Sequence, residues 1–226
     1  MNIVDLFFPK RCPFCSARLD AAGEIEGICR ECAVKTVKRG RPDVLPHGAL
    51  KNVLRLYVPL YYAGPAKQAM SRYKFRGESW LAEPFAAILF NYLDSCCAFR
   101  DTDVITCVPV SGRRFAERGY DQSRLVAEKV AELAGKPFRK LLERSDDAVT
   151  SEANLAERMA LRRFSLSSGV IRLSGVRVLL IDDIFTTGST LCECASLLLS
   201  GGAVYVNAAC LMSGRQDIFE EKERSA

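Results

Sequence analysis

The stretch VLLIDDIFTTGST, Val178 to Thr190, places two adjacent carboxylates, Asp182 and Asp183, at the end of an apolar run. A hydroxyl-rich turn around a single glycine follows at once: Thr186, Thr187, Gly188, Ser189 and Thr190. Vicinal carboxylates suit vicinal hydroxyls, such as the 2′,3′-diol of a ribose. A turn that opens a helix gathers backbone N–H groups at the positive end of the helix dipole, where a phosphate is held well. Gly188 permits close backbone approach, and the hydroxyls add side-chain donors. Diol acceptors a few residues from a phosphate cradle describe a ribose 5-phosphate site. Rival readings fit less well. A P-loop requires a lysine before its Ser/Thr, and none stands here. The magnesium-binding acidic pair of a phosphotransfer receiver lies on an early strand, whereas this pair lies on a late one. The bland alternative is an N-cap-rich turn with incidental aspartates.

A second group of chemistry-bearing residues lies near the N-terminus. Cys12 and Cys15 form one C-x-x-C pair and Cys29 and Cys32 another, with thirteen residues between the pairs. Two such knuckles can set four thiolates tetrahedrally around a structural zinc, and the bonding adds folding energy that so short a segment lacks. Four cysteine ligands leave no open position for a catalytic water. Four incidental thiols or two redox pairs are the alternatives, but no thioredoxin-like pattern surrounds them. Cys96, Cys97, Cys107, Cys192, Cys194 and Cys210 are scattered among apolar neighbours and read as thiols of a reducing cytosol.

The elements that must position these groups can be read from the rest of the chain. At 226 residues there is room for one fair-sized domain and a small module. The net charge of +5 permits phosphate-bearing partners but does not announce a nucleic-acid binder. No apolar run approaches the ~20 residues of a membrane span. The start, MNIVDLFFPKRC, lacks a basic opening and a small-residue cleavage site, so the expectation is a cytoplasmic protein without membrane insertion. Residues 1–45 read as a loop-like metal module and linker, residues 46–212 as the main domain, and residues 213–226 as a charged tail.

Within the main domain strands and helices alternate. Leu56–Tyr62 reads as a strand, Trp80–Leu93 as a helix carrying Leu81, Phe85, Ile88, Leu89 and Tyr92 on one face, and Val104–Val108 as an apolar strand. Gln122–Ala134 reads as a helix capped by Asp121, Val176–Ile181 as a strand, Ser189–Leu199 as a helix and Val204–Leu211 as a last strand. Strands apolar on both faces that alternate with helices predict an α/β fold, mainly a parallel sheet covered by helices.

IDDIFTTGST strongly resembles the phosphoribosyl pyrophosphate (PRPP) motif of type I phosphoribosyltransferases. The chain as a whole resembles the ComF family, in which a zinc ribbon precedes a phosphoribosyltransferase-like domain. YKFRGE (Tyr73 to Glu78), VPVSGRRFAERGYDQS (Val108 to Ser123) and the cysteine pairs carry the narrower match. One segment departs from it: in Thr150–Phe164, Glu152 stands where family members carry Gln and Leu161 where they carry Asn, while Arg158 is retained.

The resemblance implies PRPP with magnesium as the ligand, and displacement of pyrophosphate as the reaction. Asp182 and Asp183 would hold the ribose, and Thr186 to Thr190 the 5′-phosphate. The turn at Ser111 would be the pyrophosphate loop. Arg113, Arg114 and Arg118 follow it, suited to bidentate phosphate contacts, with Arg113 and Arg118 stabilising the leaving charge. Lys74 would add a further cation on the phosphate side, and Arg76 is a weaker candidate. The resemblance also links the chain with DNA uptake and competence. It therefore admits a non-catalytic accessory protein that binds single-stranded DNA or a DNA-processing partner, with the PRPP site as sensor or relic. This fold often dimerises, so a homodimer is a further expectation.

Overall fold

The structure is a computed structural model that describes residues 11–19, 24–25, 27–36, 50–144, 163–169 and 172–214. Its centre is a five-stranded parallel sheet. The strands are β3 (Leu56–Tyr57), β4 (Leu60–Tyr61), β5 (Val104–Cys107), β8 (Arg177–Phe185) and β9 (Tyr205–Ser213). They run in the order β3-β9-β8-β5, with β4 also paired to β9. Helices α2 (Gly64–Phe75), α3 (Ala82–Ser95) and α5 (Gln122–Ala134) pack on one face, and α6 (Ser189–Ser200) on the other. Both faces are thereby covered, which is why Val178, Leu179, Leu180 and Ile181 are all buried. Among the described residues the domain's remaining α-helix is the short α4 (Gly112–Arg118). β6 (Leu142–Arg144) and β7 (Phe164–Leu166) pair antiparallel on either side of residues 145–162.

The expected strand Leu56–Tyr62 is two short strands, because Pro59 between them has no N–H to give the ladder. β8 runs four residues beyond Ile181, since β9 goes on pairing with it as far as Phe185↔Ser213. Asp182 and Asp183 thus sit on the last part of the ladder rather than beyond it. The helix expected from Trp80 begins as a 3₁₀ turn, Ser79–Leu81, and becomes α3 only at Ala82. Trp80 stays half exposed, while Leu81, Phe85, Ile88 and Leu89 are buried as the periodicity requires. Asp121 caps α5 by accepting from the Arg124 N–H at 3.0 Å. At the start of the sheet Arg177 forks onto Asp103, Nε to Oδ2 at 2.9 Å and Nη2 to Oδ1 at 2.8 Å, which pins the β5–β8 register.

The cysteine segment is more ordered than its composition predicts. β1 (Glu24–Ile25) and β2 (Ile28–Cys29) form a hairpin, and α1 (Arg30–Thr36) follows. Cys12, Phe14, Ile28, Cys32 and Ala33 belong to the same buried cluster as Met70 of α2 and Phe85 of α3. The Phe14 ring lies 6.3 Å from that of Phe85. Glu152, Arg158, Leu161, the Lys38–Gly48 linker and the tail beyond Gly214 lie outside the described residues. No helix among the described residues is long and apolar enough to cross a membrane.

Candidate functional site

In an open parallel sheet ligands bind beyond the carboxyl ends of the strands, and the chemistry-bearing residues collect there. A larger cavity of about 410 Å³, between Val104, Leu141 and Arg172, opens at the opposite end of β5 and shares none of them.

The turn from β8 into α6 leaves the N-terminus of the helix open. Gly188 has φ +80°, and a Cβ there would come within 2.5 Å of Leu50 Cδ2 and 3.0 Å of Phe185 Cε2. Glycine is therefore required both by conformation and by space. Gly188 is also the N-cap of α6, and no side chain caps the helix from that position. The Thr187 and Ser189 hydroxyls lie 3.0 Å apart, and the Ser189 N–H reaches Thr187 Oγ1 only at 3.4 Å. Asp182, Thr186, Thr187, Gly188, Ser189 and Thr190 line a small hollow of about 30 Å³. Its size suits one compact group, such as a phosphate, at the open end of a helix.

The two carboxylates differ in their surroundings. Asp183 Oδ2 pairs with Lys74 Nζ at 2.6 Å, with both side chains less than a fifth exposed. Lys74 comes from the last turn of α2. Asp182 Oδ1 accepts from Ser123 Oγ at 3.2 Å and from the Asp183 N–H at 2.8 Å. Burial, and then the neighbouring Asp183 charge, push the Asp182 carboxyl up to about 7, against the pull of those hydrogen bonds and of Lys74.

The turn after β5 lies beside the first, since β5 pairs directly with β8. Ser111 caps α4, its Oγ accepting from the Arg114 N–H at 3.3 Å. The Val110 N–H donates to Asp121 Oδ2 at 3.3 Å, so one carboxylate fastens both this loop and the start of α5. Burial raises the Asp121 carboxyl, and the same hydrogen bonds oppose that rise. The three arginines diverge. Arg113 is tied along its own helix to Glu117 at 2.9 Å and is exposed, and Arg114 is also exposed. Arg118 lies 5.2 Å from the Phe75 ring centre and donates to Gln122 Oε1 at 2.7 Å. Its Nε is buried without a partner among the described residues. Arg118 is thus the arginine brought against the end of α2 that carries Lys74.

Away from this site the Sγ atoms of Cys12, Cys15, Cys29 and Cys32 all lie within 4.8 Å of one another. Thiolates around a tetrahedral zinc stand roughly 3.8 Å apart, given Zn–S bonds near 2.3 Å. Cys15 and Cys29 are 3.6 Å apart, and the Cys29 N–H points at Cys12 Sγ at 3.5 Å. The donor set fits a tetrahedral metal.

The phosphoribosyl transferase domain family matches residues 82–224. DNA utilization protein YhgH of Escherichia coli O6:H1 is 31% identical over 206 residues, covering 87% of this chain and 88% of that protein. Competence protein ComFC of Streptococcus pneumoniae is 34% identical over 143 residues, 63% of this chain and 60% of that protein. The chain belongs to the ComF family. Competence protein ComFC of Bacillus subtilis is 28% identical over 191 residues, 84% of this chain and 72% of that protein.

For this ComF protein the structure brings together Asp182, Asp183, Lys74 and residues 186–190. It places Ser111 on the adjacent turn and leaves Arg113 and Arg114 facing solvent. Sequence reasoning missed Ser123 as a partner of Asp182, and saw Asp121 only as a helix cap. Both lie in GYDQS, the stretch that already marked the family resemblance.

Proposed function

We propose that this ComF protein binds PRPP with magnesium and displaces its pyrophosphate. The observation that carries the reading is the juncture of the Lys74–Asp183 ion pair with Asp182 and the uncapped, glycine-dependent N-terminus of α6. The 5′-phosphate would take the amides and hydroxyls of Thr187 to Thr190. The ribose hydroxyls would donate to Asp182 and Asp183. Lys74, released in part from Asp183, would turn its charge to the phosphate groups, and Arg118 stands nearest to Lys74's helix to support it. As the bond to pyrophosphate breaks, positive charge grows on the sugar, and the two carboxylates lie on the side that would stabilise it. Magnesium, when bound with PRPP, supplies neutralising charge at the pyrophosphate, and the hard carboxylate oxygens of Asp182 and Asp183 suit it. The cysteine cluster holds zinc in a structural role. Relatives named for competence and DNA utilization support a role in DNA uptake.

Calorimetric titration of PRPP with magnesium tests this, alongside the double variant Asp182→Asn, Asp183→Asn. Binding by the wild type that the variant loses is the expected result, followed by pyrophosphate release with some nucleobase or amine acceptor. Wild-type protein that does not bind would sink the ligand assignment.

A second reading rests on Phe75 and Phe115, which are 72% and 52% exposed beside the arginines of α4. Exposed rings interleaved with arginine suit stacking of unpaired bases. On that reading the protein is a non-catalytic accessory that binds single-stranded DNA, with PRPP as a sensed ligand. Salt-dependent binding of an oligonucleotide, weakened by Phe75→Ala with Phe115→Ala, together with PRPP binding but no pyrophosphate release, would favour it.

A further inference from the structure

Two cations stand two residues apart near the end of α2, and they serve different parts of the molecule. Lys74 reaches Asp183 in the candidate site. Arg72 reaches the cysteine knuckle. Its Nη2 donates to the Pro13 carbonyl at 2.5 Å and the Phe14 carbonyl at 3.2 Å, and its Nη1 to Ser16 Oγ at 3.1 Å. Pro13 and Phe14 are the two residues between Cys12 and Cys15. The same Nη1 pairs with Glu78 Oε2 at 3.2 Å, which ties down the chain just after α2. The Arg72 side chain is only 17% exposed, so these contacts sit largely away from water.

We propose that Arg72 is a positioning residue that couples the four-cysteine knuckle to the ligand-facing end of α2. A metal on Cys12, Cys15, Cys29 and Cys32 fixes the turn of the knuckle and so holds the Pro13 and Phe14 carbonyls together. The planar guanidinium meets both from a fixed direction, as a lysine cannot. α2 is rigid over the distance from Arg72 to Lys74, so the knuckle sets where Lys74 lies against Asp183. α2 has a second anchor that could act alone. Tyr73 donates to the Gln122 carbonyl at 2.9 Å, and Tyr120 donates to the Tyr73 carbonyl. The test must separate the two anchors. The effect on PRPP rests on the reading of the site given above, whereas the mechanical link does not.

Hydrogen exchange on the full chain provides that test. Removing the metal with a chelator is expected to speed exchange of amides 72–76 by about fivefold or more, the scale of ordinary coupling between sites. In Arg72→Ala the same amides exchange fast with or without metal, and Arg72→Lys, with one donor group in place of the fork, falls between. Chelation that alters only residues 12–36 would overturn the link, because the tyrosine anchor would then suffice. So would an Arg72→Ala protein that still transmits the effect, or an equal acceleration throughout α3 and α5, which would mean global unfolding. This arm needs no ligand, so it judges the coupling even if PRPP does not bind. Where PRPP binds, linkage requires it to raise the equilibrium affinity for zinc, read as less zinc passed at equilibrium to a competing zinc-selective dye in excess magnesium. That gain disappears in Arg72→Ala, and its persistence there would overturn the proposal.

Discussion

Two strand-to-helix turns stand side by side at the carboxyl end of the sheet, and they differ in what their donors are doing. In the β8–α6 turn the helix opens at Gly188 with no side chain capping it, and the hydroxyls of Thr187 and Ser189 mainly face each other. In the β5–α4 turn Ser111 caps the helix and Asp121 occupies the Val110 N–H. The first has its anion donors set out and available. The second has satisfied its own, on a helix of seven residues. A ligand with a phosphate at one end and a pyrophosphate at the other would therefore find one half of the site preformed, and would have to rearrange the other or lean on side chains.

The largest effect should come from the cation between the halves. Lys74→Ala removes a charge from the phosphates and leaves the largely buried Asp183 unpaired. Truncating one partner of such a pair costs roughly 2–5 kcal/mol. PRPP affinity should fall by about 30-fold or more in calorimetry, and an unchanged affinity would remove Lys74 from the site.

Next comes the preformed turn itself. Gly188→Ala forces a left-handed backbone on a residue with a side chain, which costs roughly 1–2 kcal/mol. The Leu50 side chain can swing away from the new Cβ, but the Phe185 ring beneath is held in the core. Thermal melts should show the destabilisation, and binding of ribose 5-phosphate should weaken about tenfold or more. An alanine variant that binds normally would mean the turn is not preformed.

How much of this was readable beforehand follows from the range of the interactions. The turn after Asp183 is local, so glycine, hydroxyls and helix start are all visible in one stretch of sequence. The same holds for α5, whose cap and apolar stripe adjoin each other. α2 was hidden because the face it buries is made of Ala66, Ala69, Met70 and Tyr73, small or amphipathic residues that do not stand out as an apolar stripe. With it went the Lys74–Asp183 pair, which exists only because the fold brings α2 to β8. The true end of β8 was likewise set by its partner β9 and not by its own residues. Arg113 had the right residue type, but its own helix offers Glu117 one turn on, and that pair takes it away from the site.

Acidity sharpens the comparison further. The Asp182 carboxyl sits near 7 when folded, against about 4 when unfolded. The folded state therefore holds more protons between those values, and this group's contribution to stability declines as pH rises from about 4 to about 7. A magnesium-bearing ligand prefers the carboxylate, so its affinity should climb as pH passes from 6 to 8. Asp182→Asn should flatten the part of that profile which exceeds the titration of the phosphates themselves. A wild-type profile that already matches phosphate titration would place Asp182 outside the ligand's reach.

The smallest expected effect tests the self-satisfied turn. Ser111→Ala loses a helix cap, worth about 1 kcal/mol, and melts should register that whatever Ser111 does for a ligand. Comparing two ligands separates the roles. If the hydroxyl serves only α4, ribose 5-phosphate and PRPP should both bind as before. If it also turns toward pyrophosphate, PRPP alone should weaken, by about three- to tenfold, the range of one ordinary net hydrogen bond. The expected outcome is the selective loss. It requires the Arg114 N–H to give up its cap when pyrophosphate arrives, and it would identify the β5–α4 turn as the half of the site that moves.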